Sequence, residues 1–355
     1  MRRALFILIS CFVGVQPLWA QESPSSPSAT RTATQALNPN ISVIGSLAGA
    51  YFNHDPIGDQ AENPSRTGFN FQGIELALQS AVDPYVRGDI FIHLDEGAVS
   101  VEQAELTTLA LPWNLQIKAG KLLGQFGREN GRHLEQLGFV DSSRVDRYFF
   151  GNEGFKELGV EASVLLPTAW YSQITGQFLQ GENAGNFDGT RKQDFATVGR
   201  WVNTADLTQN LTLLSGLSSA IGFNKTAAGN LTEIFGGDLY LRFRPSANRG
   251  LKWQTEYFWR QREAVGGKNR DGGLDSQLIW QWAKRWETGV RFDWIGIPGN
   301  AYRQRAVASD LTFLATEFFR MRAQCSFVHT ESLADGHEIF LQMQFNMGPH
   351  GAHVF

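Results

Sequence analysis

The sequence predicts an all-β fold, a transmembrane antiparallel β-barrel of about 16 strands with an inward-folded long third extracellular loop. Three observations lead to this expectation. Apolar and polar residues alternate along many segments, these segments run for about 10–13 residues, and tight turns alternate with longer polar loops.

The final segment of the chain shows the alternation most clearly. Its apolar face consists of Ile339, Leu341, Met343, Phe345 and Met347. The residues between them are polar, except for Phe340. A soluble β-sandwich would also alternate, but its strands are usually about 5–6 residues long. Charges on the polar faces of consecutive segments favour a barrel with an aqueous lumen.

The same pattern places the strands along the chain. We expect them near 41–52, 69–82, 85–95, 98–110, 114–122, 157–166, 169–180, 194–204, 209–223, 232–245, 249–263, 272–284, 286–296, 303–315, 318–329 and 337–347. Tight turns such as Asp83-Pro84 and Lys284-Arg285 alternate with longer polar loops at 53–68, 181–193 and 264–271. Because barrels keep short turns on the periplasmic rim, the longer loops are expected outside the cell.

The N-terminus carries an export signal. Arg2 and Arg3 precede an apolar run over 4–15, and Ala20 offers a small residue before a cleavage site. We therefore assign 1–20 to a signal peptide, 21–39 to a disordered periplasmic leader and 40–355 to the barrel. Alternatively, the segment 1–20 is an uncleaved helix that anchors the protein.

Composition excludes several classes of protein. Export would reduce the 31 Lys and Arg by two, against 35 Asp and Glu, and an acidic chain does not suit a nucleic-acid partner. Cleavage would leave Cys325 as a single cysteine, so neither a disulfide nor a cysteine metal cluster is expected. The richness in aromatic residues and glycine, with 26 Phe and 37 Gly, is typical of a membrane barrel.

One connection, 124–156, is longer than the others and carries both apolar and charged residues. A structureless loop of this length is uncommon unless it is functional, so we expect it to fold into the lumen and narrow the pore. Its predicted pore-constriction residues are Arg128, Arg132, Glu135, Arg144, Asp146 and Arg147. These charges select ions if they face the pore. Alternatively, they pair with one another and only rigidify the loop, which predicts little selectivity.

Basic residues on the polar faces of the strands are predicted to line the pore. They are Lys118, Arg242, Arg244, Arg260, Arg262, Arg291, Arg320 and Arg322.

Parts of the chain resemble a known family. The segment 101–130, the preceding Asp83-Pro84-Tyr85-Val86-Arg87 and the Phe126-Gly127-Arg128-x-Asn130 motif are similar to phosphate-selective porin O/P-like outer-membrane proteins. The resemblance implies a sixteen-stranded, usually trimeric porin with an inward third loop. Phosphate selectivity requires a dense ladder of inward basic residues, whereas this loop mixes the two signs of charge. The resemblance therefore leaves an anion preference open and does not extend to phosphate.

We expect an outer-membrane porin for passive diffusion of small hydrophilic solutes or ions. Its expected partners are outer-membrane lipid and lipopolysaccharide, the assembly machinery and two further copies of itself in a homotrimer. The alternatives are a non-conducting barrel that serves as an adhesin or scaffold, and an outer-membrane hydrolase. No serine-hydrolase or zinc-hydrolase motif occurs, so neither catalysis nor a cofactor is expected. The pair His350 and His353 is a weak metal signal and is interpreted as part of a polar tail.

Overall fold

The structure is a computed structural model that describes residues 39–54, 63–183, 185–298 and 302–348. The expectations for the signal peptide, for the leader up to residue 38 and for the tail from residue 349, including His350 and His353, lie outside the described residues.

Sixteen strands in the described part of the chain form one closed barrel. They are β1 (Asn40–Phe52), β2 (Gly68–Ala81), β3 (Val86–Leu94), β4 (Val99–Thr108), β5 (Leu115–Leu123), β6 (Lys156–Leu165), β7 (Tyr171–Leu179), β8 (Ala196–Thr208), β9 (Leu211–Phe223), β10 (Leu231–Ser246), β11 (Arg249–Ala264), β12 (Gly267–Ala283), β13 (Trp286–Ile295), β14 (Gln304–Leu314), β15 (Phe319–Thr330) and β16 (Gly336–Met347).

Each strand pairs antiparallel with its neighbours in sequence, and β1 closes the barrel against β16 from Val43↔Met347 to Phe52↔Glu338. The membrane environment explains why the barrel closes. An unpaired peptide group in hydrocarbon costs several kcal/mol, so a strand edge left open within a bilayer is strongly unfavourable. The predicted fold class of a sixteen-stranded antiparallel barrel is therefore confirmed.

The two faces of the strands differ as the alternation predicts. On β16, Leu341 is 62% exposed on the outer face, whereas Gln342 next to it is 4% exposed on the inner face. Phe340, the exception in the pattern, lies on the inner face and is 2% exposed. The strands range from 9 to 17 residues, so some are longer than expected.

The prediction of a long loop at 264–271 is wrong. β11 extends to Ala264 and β12 begins at Gly267, so only residues 265 and 266 connect them. Gly266 has φ +91°, a conformation that glycine adopts without a steric penalty, and this permits the tight hairpin. The polar residues 267–271 have the composition of a loop, but they belong to β12.

The connection between β5 and β6 is the segment 124–155, one residue shorter than predicted because Lys156 begins β6. We call it the long loop. It contains a 3-10 turn (Leu134–Gln136) and a seven-residue helix, α1 (Arg144–Phe150). The Ser143 side chain caps α1 by accepting hydrogen bonds from the backbone N–H groups of Val145 and Asp146. Among the described residues, no helix is both long and apolar enough to span a membrane.

Candidate functional site

The long loop is bound to the barrel wall on many sides. Hydrogen bonds join it to side chains of β2, β4, β7, β9, β11, β12, β13, β15 and β16. Because these strands are distributed around the closed barrel, the contacts attach the loop to opposite parts of the wall.

An aromatic cluster anchors the two ends of the long loop. Phe126, Phe149 and Phe150 pack on Phe258 of β11, with ring centroids 5.1, 5.5 and 5.8 Å from that of Phe258. All four side chains are at most 2% exposed. Gly236 on β10 makes room for Phe126, because a Cβ atom there would lie 2.8 Å from its ring.

A carboxylate from the wall holds the beginning of the loop. Glu256 of β11 accepts hydrogen bonds from the backbone N–H groups of Arg128 and Glu129, at 2.8 and 2.9 Å. Gly127 has φ +64°, and a Cβ atom there would lie 2.4 Å from Glu256 Oε2. The glycine of the Phe-Gly-Arg motif is thus required by both its backbone conformation and this close approach.

Arg291 of β13 is the centre of a buried ionic network. Its Nη2 lies 3.0 Å from Asp141 Oδ1 of the loop, and its Nε lies 3.1 Å from Asp293 Oδ2. Asp293 also accepts from the Ser143 hydroxyl and from the Arg144 backbone N–H, both at 3.1 Å. The wall therefore binds both the side chains and the helix start of the loop.

The surroundings shift the pKa values of two loop carboxylates, Asp141 and Asp146, in opposite directions. Burial by itself raises the pKa of Asp141, but the guanidinium groups of Arg291, Arg147 and Arg144 outweigh it and hold this pKa at about 2. For Asp146, burial and the nearby Glu129 and Glu256 act together and raise the pKa well above its usual value.

Three cavities follow one another along the loop. The first, of about 490 Å³, includes Tyr148, Tyr302 and Glu338 in its lining. The second, of about 80 Å³, shares Asn63, Arg147 and Asn152 with the first. The third, of about 580 Å³, shares Arg132 and Leu137 with the second. Two large cavities thus flank a much smaller one that the long loop lines, and we call this small one the narrow cavity.

All six predicted constriction residues lie at these cavities. Arg144 and Arg147 line the first, Arg132, Asp146 and Arg147 line the second, and Arg128, Arg132 and Glu135 line the third. Several are held by protein partners as well. Arg144 binds Glu338 at 2.6 Å and Arg147 binds Asp141 at 3.2 Å, while the Arg128 guanidinium lies 3.9 Å from the Tyr240 ring centre.

The predicted pore-lining residues divide into two groups. Arg242, Arg320 and Arg322 line the third cavity, and Arg242 and Arg244 line a fourth of about 210 Å³. The others lie away from these four cavities. Among them, Lys118 binds Glu105 at 2.9 Å and Arg260 binds Asp271 at 2.6 Å. Arg291 belongs to the network above, and Arg262 lies two residues before the end of β11.

The wall residues that bind the loop, above all Glu256, Phe258 and Asp293, were not predicted from the sequence. One signal could have identified Phe258, because it is an aromatic residue on the polar face of β11, between Glu256 and Arg260. Phe340 on β16 gave the same signal, and it packs against the loop residue Val140. The wall carboxylates gave no distinct signal, since acidic residues are also expected to face an aqueous lumen.

A second cluster joins the loop to β2 and β4. His133 Nδ1 lies 2.9 Å from Glu75 Oε2 and 3.1 Å from Glu102 Oε2. Burial opposes the charged imidazolium, but the hydrogen bonds to Glu102 and Glu75 outweigh it and raise the pKa of His133 well above its usual value. Burial and the charge of Glu75 raise the pKa of Glu135 to about 8.

The chain is similar to known proteins in sequence and in fold. No family model matches the chain. An uncharacterized protein of Aquifex aeolicus is 29% identical over 341 residues, covering 84% of this chain and 72% of the relative.

Three solved structures share the fold at low identity. The anion-selective porin from Comamonas acidovorans superimposes with a TM-score of 0.61 at 10% identity, over 87% of this chain and 99% of that one. The outer membrane channel DcaP of Acinetobacter baumannii gives 0.59 at 10%, over 87% and 97%. The trimer form of OmpT, an outer membrane protein of Vibrio cholerae, gives 0.59 at 8%, over 87% and 100%. The fold of this chain is therefore that of porin-like outer-membrane barrels.

Proposed function

We propose that this protein is an outer-membrane porin through which small hydrophilic solutes or ions diffuse passively. The observation that carries the proposal is the row of three cavities along the long loop of a closed barrel, with a large cavity on either side of the narrow cavity. An apolar outer face suits lipid and a polar inner face suits an aqueous channel. The long loop lies within the lumen in this proposal and forms the constriction.

Arg132, Asp146 and Arg147 are the constriction residues with the best support, because they line the narrow cavity. Ions that pass a site of this size meet fixed charges at close range, and such charges select ions by sign. Two of the four loop arginines, Arg144 and Arg147, are paired with carboxylates, so we expect the selectivity to be weak.

We expect the weakly selective channel to prefer anions over cations. The third cavity is lined by six basic side chains and only three acidic ones. The basic ones are Arg128, Arg132, Arg242, Lys252, Arg320 and Arg322. An excess of positive charge in a confined space raises the local concentration of anions. A barrel of the same fold is an anion-selective porin, which supports this assignment.

The assembly we propose is a homotrimer in outer-membrane lipid and lipopolysaccharide, reached after signal-peptide cleavage and insertion by the assembly machinery. A trimer form of a barrel with this fold supports the oligomeric state. The broad apolar outer surface, with Leu217, Leu341 and Met347 between 55 and 62% exposed, supports insertion into lipid.

Planar-bilayer recording tests the proposal. The mature protein is expected to form open channels whose conductance steps occur in groups of three. Under a salt gradient, the double variant Arg128→Glu and Arg132→Glu should move the reversal potential toward that of cations, because it reverses two charges at the cavities.

The control is the double variant Arg66→Glu and Arg303→Glu, which changes the net charge equally at exposed rim positions, with side chains 64 and 50% exposed. It should leave the reversal potential nearly unchanged. Complete absence of conductance from folded protein would show a non-conducting barrel and reject the porin. An equal reversal potential in wild type and the Arg128 and Arg132 variant would place these residues outside the ion path.

A further inference from the structure

A buried cluster of metal-ligating side chains lies where the long loop meets β2 and β4. One ring nitrogen of His133 and one oxygen each of Glu75 and Glu135 all lie within 4.8 Å of one another. Nδ1 of His133 lies 2.9 Å from Glu75 Oε2 and 3.1 Å from Glu102 Oε2. The loop supplies two of these residues and the barrel wall supplies the other two, so the cluster connects two parts of the structure.

The His133 ring is oriented with Nδ1 toward the carboxylates. Its other nitrogen, Nε2, lies 3.2 Å from Oε1 of Gln103, and its ring stacks on Phe91 with centroids 4.6 Å apart. Because an amide oxygen only accepts hydrogen bonds, Nε2 carries the hydrogen. Nδ1 therefore faces the Glu75 and Glu102 oxygens, and a metal ion takes the place of the proton held between these groups. Metal-binding histidines are held in this way, with the second nitrogen donating to an oxygen.

A β-bulge in the wall directs two consecutive side chains to this place. In the pairing of β3 with β4, Phe91 is opposite Gln103 and Ile92 is opposite Val101, so Glu102 is the extra residue. Glu102 and Gln103 are both buried on the inner side although they are neighbours in one strand. Bulges that redirect a side chain in this way are frequent next to functional sites.

The ligand charges of the cluster suit a divalent cation. Metal binding displaces protons from its ligands, so His133 is neutral and the three glutamates are ionised in the occupied site. Lys156, whose Nζ lies 2.8 Å from Glu102 Oε1, offsets one of these charges. The ligands and Lys156 then sum to two negative units, which a divalent cation neutralises. A mixture of imidazole nitrogen and carboxylate oxygen suits zinc and related transition metals, whereas magnesium and calcium prefer oxygen ligands alone.

We propose that Glu75, Glu102, His133 and Glu135 form a binding site for a divalent transition-metal cation of the zinc class. Tetrahedral zinc sets its ligand atoms roughly 3.4 Å apart, so the observed separations of 2.9 and 3.1 Å need to open by only a few tenths of an ångström. The site differs from the sequence-based expectation, which included no metal site.

The cation reaches this site from the pore. Glu102 and His133 are also lining residues of the narrow cavity, which provides an entry path. Once bound, the metal links the loop residues His133 and Glu135 to β2 and β4. It therefore fixes the long loop against the wall at the narrowest of the three described cavities.

Isothermal titration calorimetry with ZnCl₂ on the folded, detergent-solubilised barrel tests the proposal. The protein used throughout, called the background protein, carries His350→Ala and His353→Ala, so that the tail histidines do not bind zinc. One site per chain is expected. His133→Gln and Glu135→Gln should weaken zinc binding at least about tenfold, and Gln103→Leu, which releases the orienting hydrogen bond, should weaken it by about 10–100-fold.

Glu153→Gln is the matched control, since it removes a carboxylate from an exposed position of the same loop. It should bind zinc like the background protein. If His133→Gln does not fold, judged by its heat-dependent mobility on gels, Glu135→Gln gives the result. The proposal is wrong if the background protein binds no zinc, or if the His133 and Glu135 variants bind it unchanged through other groups such as the rim histidines His329 and His337.

Discussion

Asp141 and Asp146 lie five residues apart in the same loop, yet their surroundings give their charges opposite consequences. Asp141 contacts two arginine side chains, Arg291 and Arg147, so its ionised form is stabilised even though it is 2% exposed. The Oδ1 atom of Asp146 has no hydrogen-bond partner within the described chain. A buried carboxylate without such a partner is more favourable when protonated.

Replacing Asp146 with Asn should therefore stabilise the protein in a pH-dependent way. The folded pKa of Asp146 is raised by burial and by Glu129 and Glu256, whereas the unfolded value is near 3.8. The wild type thus has its full stability below pH of about 4 and loses part of it as the pH rises toward the raised pKa. We expect Asp146→Asn to add at least about 1.4 kcal/mol at pH 8, relative to its effect at pH 3.5.

Guanidinium unfolding in detergent, followed by tryptophan fluorescence at both pH values, measures this difference. Asp95→Asn serves as the control, because Asp95 is an exposed carboxylate in a loop. Its effect should be the same at pH 3.5 and pH 8. A pH-independent effect of Asp146→Asn would show that the buried charge is already compensated.

At the scale of elements, the long loop and the strands it touches stabilise each other. Its backbone N–H groups and carbonyl oxygens bind wall side chains, as when Arg322 donates to the carbonyl oxygens of Phe139 and Leu137 at 2.7 and 2.5 Å. The long loop does not form a sheet with the wall, because the wall's own backbone groups already pair between strands. Side chains of the inner face therefore satisfy the loop's buried polar groups.

Phe258 provides the apolar part of this attachment. Phe258→Ala should destabilise the protein by about 3–5 kcal/mol, since it leaves a cavity beneath Phe126, Phe149 and Phe150. The loop contains four arginines, so limited trypsin digestion reports its release from the wall. Cleavage within 124–155 should be faster in this variant than in the wild type.

Phe235→Ala is a suitable comparison, because Phe235 is 45% exposed on the outer face of the neighbouring strand. This variant should leave the loop as resistant to trypsin as the wild type. Equal cleavage rates in Phe258→Ala and the wild type would mean that the polar contacts alone retain the loop.

For the whole molecule, the apolar outer face and the closed hydrogen-bond network indicate the same environment. Residues such as Leu217 and Leu341 are more than half exposed in the isolated barrel and lie in the interior of their strands. A surface of this kind is unfavourable in water and suits the hydrocarbon layer of a membrane.

The position along a strand should determine the cost of a charge on this outer face. Leu341 lies in the middle of β16, whereas Met347 is its last residue. We expect Leu341→Arg to destabilise the folded barrel in lipid vesicles by about 2–4 kcal/mol and Met347→Arg by about 0–1 kcal/mol. Reversible unfolding in guanidinium with vesicles present measures both values. Equal costs at the two positions would contradict the expectation that Leu341 lies deeper in the bilayer than Met347.

Local patterns in the sequence are sufficient to predict the barrel. Sidedness along a strand is a local property with a period of two residues, so Leu341 and Gln342 are assigned to opposite faces without knowledge of any other strand. Strand number and order followed from the same local signal and from the tight turns. The signal failed at residues 267–271, because polar residues beside a two-residue hairpin resemble a longer loop.

The pairing of charges depends on contacts between segments that are distant in the sequence. Asp141 and Arg291 are 150 residues apart along the chain, and Glu75, Glu102 and His133 come from three separate segments. The sequence indicated that the long loop is charged, that basic residues are on the inner face and that pairing is one possibility. Which guanidinium is neutralised and which lines a cavity depends on how the aromatic cluster and the β-bulge position the loop against the wall, and these contacts are not local in sequence.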